Sequence, residues 1–112
     1  MPSSPLPNYL LSNRKRSALS QEDVAFLLGT QSGAKVSRHE RFAREPGLRT
    51  ALAYEAIYQR SASELFSGLY GKIEREVAAR AKALAAKTGR SKSPRQSAQR
   101  RQTLAALAGR AR

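Results

Sequence analysis

The sequence predicts an all-α chain: a five-helix domain followed by a long basic C-terminal helical extension. Three observations carry this. Apolar residues recur at helical steps, and no alternating strand pattern occurs anywhere in the 112 residues. Two Ser-x-x-acid boxes, Ser20 with Asp23 and Ser61 with Glu64, are helix-start signatures. The stretch Lys72–Lys87 is rich in Ala, Lys, Arg and Glu, residues that favour helix.

Taken in order, residues 1–7 hold three prolines and two serines and are expected to form a disordered arm. A first helix follows from Asn8 to about Ala18, with Tyr9, Leu10 and Asn13 as core-facing candidates and Arg14-Lys15-Arg16 as a cationic last turn. Ser20 caps the second helix, Leu19 and Val24 can staple its start, and Gly29 ends it. Thr30 to Gly33 make a polar turn, from which Ser32 can cap a third helix running from about Gly33 to Phe42. The loop Phe42–Gly47 precedes a fourth helix, Leu48–Tyr58, for which Leu48, Leu52 and Ala56 or Ile57 form the expected core stripe. Ser61 opens a fifth helix carrying Leu65 and Phe66 inward.

Composition shifts near Gly68–Gly71. Residues 1–70 balance to +3, whereas residues 71–112 balance to +10 and contain only Glu74 and Glu76 as acids. A long helix is expected over Lys72–Lys87, stopped by Gly89, with Tyr70, Ile73, Val77 and Leu84 at heptad-like spacing interrupted by Arg80. That series suits either a dimer seam or packing back on the domain. Ser91–Pro94 reads as a linker, and Ser93, Pro94 and Gln96 as the start of a last helix that carries Leu104 and Leu107 and ends by Gly109. Its thin apolar face makes it marginal alone. With seven Lys/Arg and no acid, residues 89–112 are not expected to fold against the positive segment before them. The expected organisation is an arm (1–7), a domain (8–67), a basic helix (68–88) and a basic linker with a short helix (89–112).

The pair of helices across Gly29–Gly33 is the centre of the functional reading. On the third helix Val36 and Glu40 share one face with His39 at its edge, while Ala34, Ser37, Arg38 and Arg41 share the opposite one. A small, basic outer face on the second of two short helices suits a major groove. The run resembles the helix-turn-helix of lambda-repressor-like, Cro-type transcriptional regulators, the xenobiotic-response-element group. The matching positions are Leu19-Ser20-Gln21-Glu22, Val24-Ala25, Leu27-Leu28-Gly29, Val36-Ser37-Arg38 and Glu40-Arg41. Pro46, Leu48, Thr50, Leu52 and Ser61–Phe66 resemble the fourth and fifth helices of that family, so the likeness covers about residues 8–67. The turn from Gly29 to Val36 is one residue longer than the usual pattern, and Gln59 replaces a glycine often found after the fourth helix.

The resemblance implies a sequence-specific, homodimeric regulator of transcription acting on double-stranded DNA. Base-edge candidates are Ser37 and Arg38, with Ala34 and Lys35 behind them; Arg38 suits guanine and Ala34 a thymine methyl. Phosphate candidates are Gln21, Thr30, Arg41 and Arg44. It also implies a structural ion pair between Arg14 and Glu40. Phe26 lies opposite Val24 and Leu28, so the domain core is not expected to bury it; it stands as a lone exposed ring, a dimer contact or a seat for the C-terminal helix.

A net charge of +13 favours polyanionic partners, nucleic acid before membrane. The absence of cysteine removes any disulfide framework or thiolate metal site and fits a reducing cytosol, with the nucleoid as the expected location. The N-terminus has no secretory apolar run, and no stretch reads as membrane-spanning. His39, the sole histidine, has no neighbour at ligand or triad spacing, so neither a metal, a cofactor nor an enzymatic reaction is expected. Two other binding classes compete with a regulator. One is an adaptor or antitoxin whose residues 89–112 bind a protein partner; the other is a nucleoid-type packaging protein indifferent to sequence.

Overall fold

Side-chain capping sets the starts of three helices in the computed structural model, which describes residues 8–87 and 94–110. The expected arm, the Gly89 stop and the Ser93 cap lie outside the described residues. Seven helices occur there: α1 (Leu10–Arg16), α2 (Gln21–Leu28), α3 (Gly33–Glu40), α4 (Leu48–Tyr58), α5 (Ala62–Leu65), α6 (Ser67–Ala86) and α7 (Pro94–Arg110). No strand interrupts them among the described residues. The chain divides into two compact units, one ending at Leu69 and the next starting at Tyr70.

In the first unit both expected capping boxes form. The Ser20 side chain accepts from the Asp23 N–H while the Asp23 side chain accepts from the Ser20 N–H, and Ser61 and Glu64 repeat the arrangement. These contacts hold the Asp23 and Glu64 carboxyls below the usual carboxylate range, led by the Ser20 backbone N–H and the Ser61 side chain respectively. Helix ends follow a second shared rule. After α1, α2 and α3 the chain turns through a left-handed residue: Ala18 (φ 60°), Gly29 (φ 81°) and Phe42 (φ 54°). Each turn returns two N–H groups to the last carbonyls, as with Ala43 to Arg38 (2.9 Å) and Phe42 to His39 (3.0 Å). These turns stop α1 and α3 two residues short of the expected ends. Phe42 keeps this strained conformation while its ring packs on the core.

The core joins Leu10, Val24, Ala25, Val36, Tyr54, Tyr58, Leu65 and Phe66, so all five helices contribute. Two inward assignments are corrected. Tyr9 is exposed, because it precedes α1 and its N–H is drawn to the Leu65 carbonyl at 2.7 Å; Asn8 takes the buried place. On α4 the leucines face out, Leu48 being 77 % and Leu52 52 % exposed, whereas Tyr54 is fully buried and Tyr58 nearly so. The inward stripe is therefore Ala51, Tyr54 and Tyr58, with Ile57 at its side. Tyrosine wins here because Tyr54 finds a polar partner inside and stacks on Tyr58 at 6.1 Å, with Phe66 edge-on at 6.2 Å. Gln59, left-handed at φ 55°, ends this helix.

Helix α6 starts at Ser67, five residues earlier than Lys72, runs through Gly68 and Gly71, and lies mostly in the second unit. Two glycines cost a helix about 1 kcal/mol each relative to alanine, which a twenty-residue segment rich in good helix formers can absorb. The expectation that the basic tail stays apart from α6 fails. Leu104 of α7 is buried, Ala78 and Ala81 of α6 are buried, and the two helices line a common groove. Arginines on long stems can reach solvent, so like charge does not prevent the two helices from lining one groove.

Candidate nucleic-acid interface

α3 is amphipathic in a way that separates support from display. Its inner face holds Val36 and His39, at 0 % and 1 % exposure, together with the Glu40 side chain. The outer face exposes Ala34, Lys35 and Arg38, with Ser37 half-buried and Arg41 exposed just past the helix end.

Polar contacts from three directions fix the inner face. Arg14 Nε donates to Glu40 Oε2 at 2.6 Å and Arg14 Nη2 to Oε1 at 3.2 Å, a two-pronged pair. Gln21 Nε2 also donates to Oε1 (3.1 Å), and Arg14 Nη1 donates to the Leu19 carbonyl (3.1 Å). The contact with Glu40 raises the Arg14 pKa, burial opposing it. Asn8 Nδ2 donates to the His39 carbonyl (2.9 Å), and its Oδ1 accepts from the Leu10 N–H (3.0 Å), so one amide ties the start of α1 to α3. From α4, the Tyr54 hydroxyl pairs with His39 Nδ1 at 2.9 Å, the rings edge to face at 5.7 Å. His39 is thus a core residue, not an edge residue. Burial pushes its pKa down, and the charges of Lys35, Arg44 and Arg38 push the same way. Beside this network the Tyr58 hydroxyl is buried with no hydrogen-bond partner among the described residues, and burial followed by the Glu40 charge pushes its pKa up to about 12.

The start of α3 is pinned to α2. The Gly33 N–H donates to Glu22 Oε1 (3.0 Å), and the Ala34 N–H donates to the Ser32 hydroxyl (3.2 Å). A Cβ on Gly33 would sit 2.6 Å from Glu22 Oε1 and 3.2 Å from the Gln21 carbonyl carbon, so a larger residue would displace the Glu22 carboxylate and crowd the Gln21 backbone.

On the display side, Arg41 Nε donates to Ser37 Oγ at 3.3 Å, laying the guanidinium along the outer face. Among the described residues none of Lys35, Arg38, Arg41 or Arg44 pairs with a carboxylate. The residues proposed for base edges (Ala34, Lys35, Ser37, Arg38) therefore lie together on one helix, and Arg41 and Arg44 follow it. Gln21 and Thr30 are half-buried; the Gln21 amide is engaged by Glu40, and Thr30 sits in the turn between α2 and α3 with its N–H on the Ala25 carbonyl. Asn8, Glu22 and Tyr54 escape a reading by sequence, since each acts on a partner far along the chain; Ser32 before Gly33 is the sole local hint of the close approach.

The described residues contain no cluster of metal-binding side chains and no helix long and apolar enough to cross a membrane. No protein-family model, curated protein or solved structure matches the chain.

Proposed function

We propose that this chain is a sequence-specific DNA-binding regulator, acting as a homodimer on a pseudo-palindromic duplex site with α3 in each major groove. One observation carries the reading: the outer face of α3 is small and cationic and pairs with no carboxylate among the described residues, while Glu40 and His39 on its inner face are held by α1, α2 and α4. A surface prepared in that way meets a partner without reorganising. In this reading Arg38 and Ser37 read base edges, Lys35 and Ala34 flank them, and Arg41, Arg44, Thr30 and the first turn of α2 at Gln21 meet phosphate. Phe26, 82 % exposed, and Leu27 border a shallow groove with Leu19 and Asp23, an apolar patch suited to a second copy.

Selection of bound sequences from a random duplex library tests the proposal. The expected result is a two-fold symmetric consensus bound about 10³ or more times better than bulk DNA. A ratio near one would make the chain a packaging protein and refute the regulator.

A further inference from the structure

The second unit leaves most of its large apolar side chains partly exposed. Ala78, Ala81 and Leu104 are buried, whereas Tyr70, Ile73, Val77 and Leu84 stay between 40 % and 43 % exposed. Tyr70, Ile73 and Val77 of α6 and Leu107 of α7 line a groove of about 120 Å³, with Glu74 and Arg110 on its walls. Helical periodicity extends the groove in a definite chemistry. Arg80 stands on the α6 stripe between Val77 and Leu84, and Arg100 lies two turns from Leu107 on the same face of α7. The trough is therefore apolar at its floor, with Glu74 and Arg110 on its walls and Arg80 and Arg100 beyond its lining, so that bases outnumber the acid around it.

Three occupants compete, and the charge pattern separates them. A second copy would set this basic trough against itself, because Tyr70–Arg112 holds twelve Lys/Arg against Glu74 and Glu76. Duplex DNA would satisfy the arginines but offers nothing to an apolar floor of Tyr70, Ile73, Val77 and Leu107. A helix with an apolar stripe and carboxylates on both flanks satisfies both at once. We propose that the groove between α6 and α7 docks an acidic amphipathic helix of a partner protein. Apolar side chains of that helix at i, i+3 or i+4, and i+7 lie on Ile73, Val77 and Leu107, and its carboxylates meet Arg80, Arg100 and Arg110. This site lies wholly within the second unit and does not rest on the DNA-binding reading.

The test titrates the full chain with a fluorescent synthetic peptide of about five helical turns, leucines on one stripe and glutamates elsewhere. A scrambled peptide of equal composition is the control, both at about 150 mM salt. The striped peptide should bind at least about tenfold tighter than the scrambled one, and Ile73→Ser with Val77→Ser should erase that difference while leaving DNA affinity unchanged. Because these side chains are exposed, α6 should keep its helical circular dichroism. Reversing the rim by Arg80→Glu and Arg100→Glu should transfer preference to a peptide with lysines in place of glutamates, a readout that does not depend on the serine variants. Equal binding of striped and scrambled peptides would overturn the proposal, leaving charge alone. So would a dimer seen by sedimentation that Ile73→Ser with Val77→Ser dissolves, since the groove would then belong to a second copy.

Discussion

Replacing Arg14 by alanine removes three hydrogen bonds at once: two to the Glu40 carboxylate and one to the Leu19 carbonyl. What remains is a carboxylate whose side chain is 4 % exposed, with Gln21 Nε2 as its surviving partner. Breaking a buried pair from one side costs about 3–5 kcal/mol, since the survivor keeps its desolvation penalty without its attraction. The penalty of Arg14→Ala should therefore stand near ~3–4 kcal/mol at neutral pH. Glu40→Ala should cost less, because Arg14 is 15 % exposed, keeps Leu19 and can swing its guanidinium toward water. Urea unfolding of both single variants and the double variant at pH 7 measures all three terms. A change under about 1 kcal/mol for either single variant would refute the reasoning.

Four further outcomes are expected. Arg38→Ala should cost about 1–3 kcal/mol of binding at one position in each half-site and relax base choice there; a uniform loss across sequences, read from the same selection, would make Arg38 a phosphate contact. Gly33→Ala should destabilise the first unit by about 1–3 kcal/mol in a thermal melt, since the new methyl meets Glu22 and the Gln21 backbone. Gln59→Gly should instead stabilise by roughly 0.5–1 kcal/mol, relieving a left-handed residue against a small gain in unfolded freedom; a lower melting point would show that the Gln59 side chain matters more than its backbone. The depressed His39 pKa means that the fold holds neutral imidazole while the unfolded chain takes up a proton below about 6.5. Its contribution is thus full above that pH and lost as pH falls below it, by at most about 1.4 kcal/mol at pH 5.5, and a His39→Gln variant should lack this slope in denaturant titrations between pH 7.5 and 5.5.

Features written in a few adjacent residues were legible in the sequence. Ser20 with Asp23, Ser61 with Glu64 and Gly29 all depend on local capping, and the outer face of α3 follows from periodicity alone. Features that depend on distant partners were hidden. Leu48 and Leu52 looked like core by hydrophobicity, yet Tyr54 takes the interior because His39, fifteen residues away, meets its hydroxyl. Asn8 is thirty-one residues from the carbonyl it serves. The left-handed ends at Ala18, Phe42 and Gln59 carry no glycine to announce them, so helix lengths were overestimated at α1 and α3. The charge of the tail does not reveal that Leu104 is buried or that Leu107 lines a groove with α6.

The shortness of α3 has its own consequence. Eight residues give about 12 Å of helix, and stacked base pairs advance about 3.4 Å, so such a helix lies along three or four pairs. On the DNA-binding reading, two copies specify about eight pairs, a word that recurs by chance about once in 65,000 positions. A genome presenting about 10⁶ positions or more holds many copies of any such word. For a reading element this short, occupancy at one locus depends on what else is bound beside it.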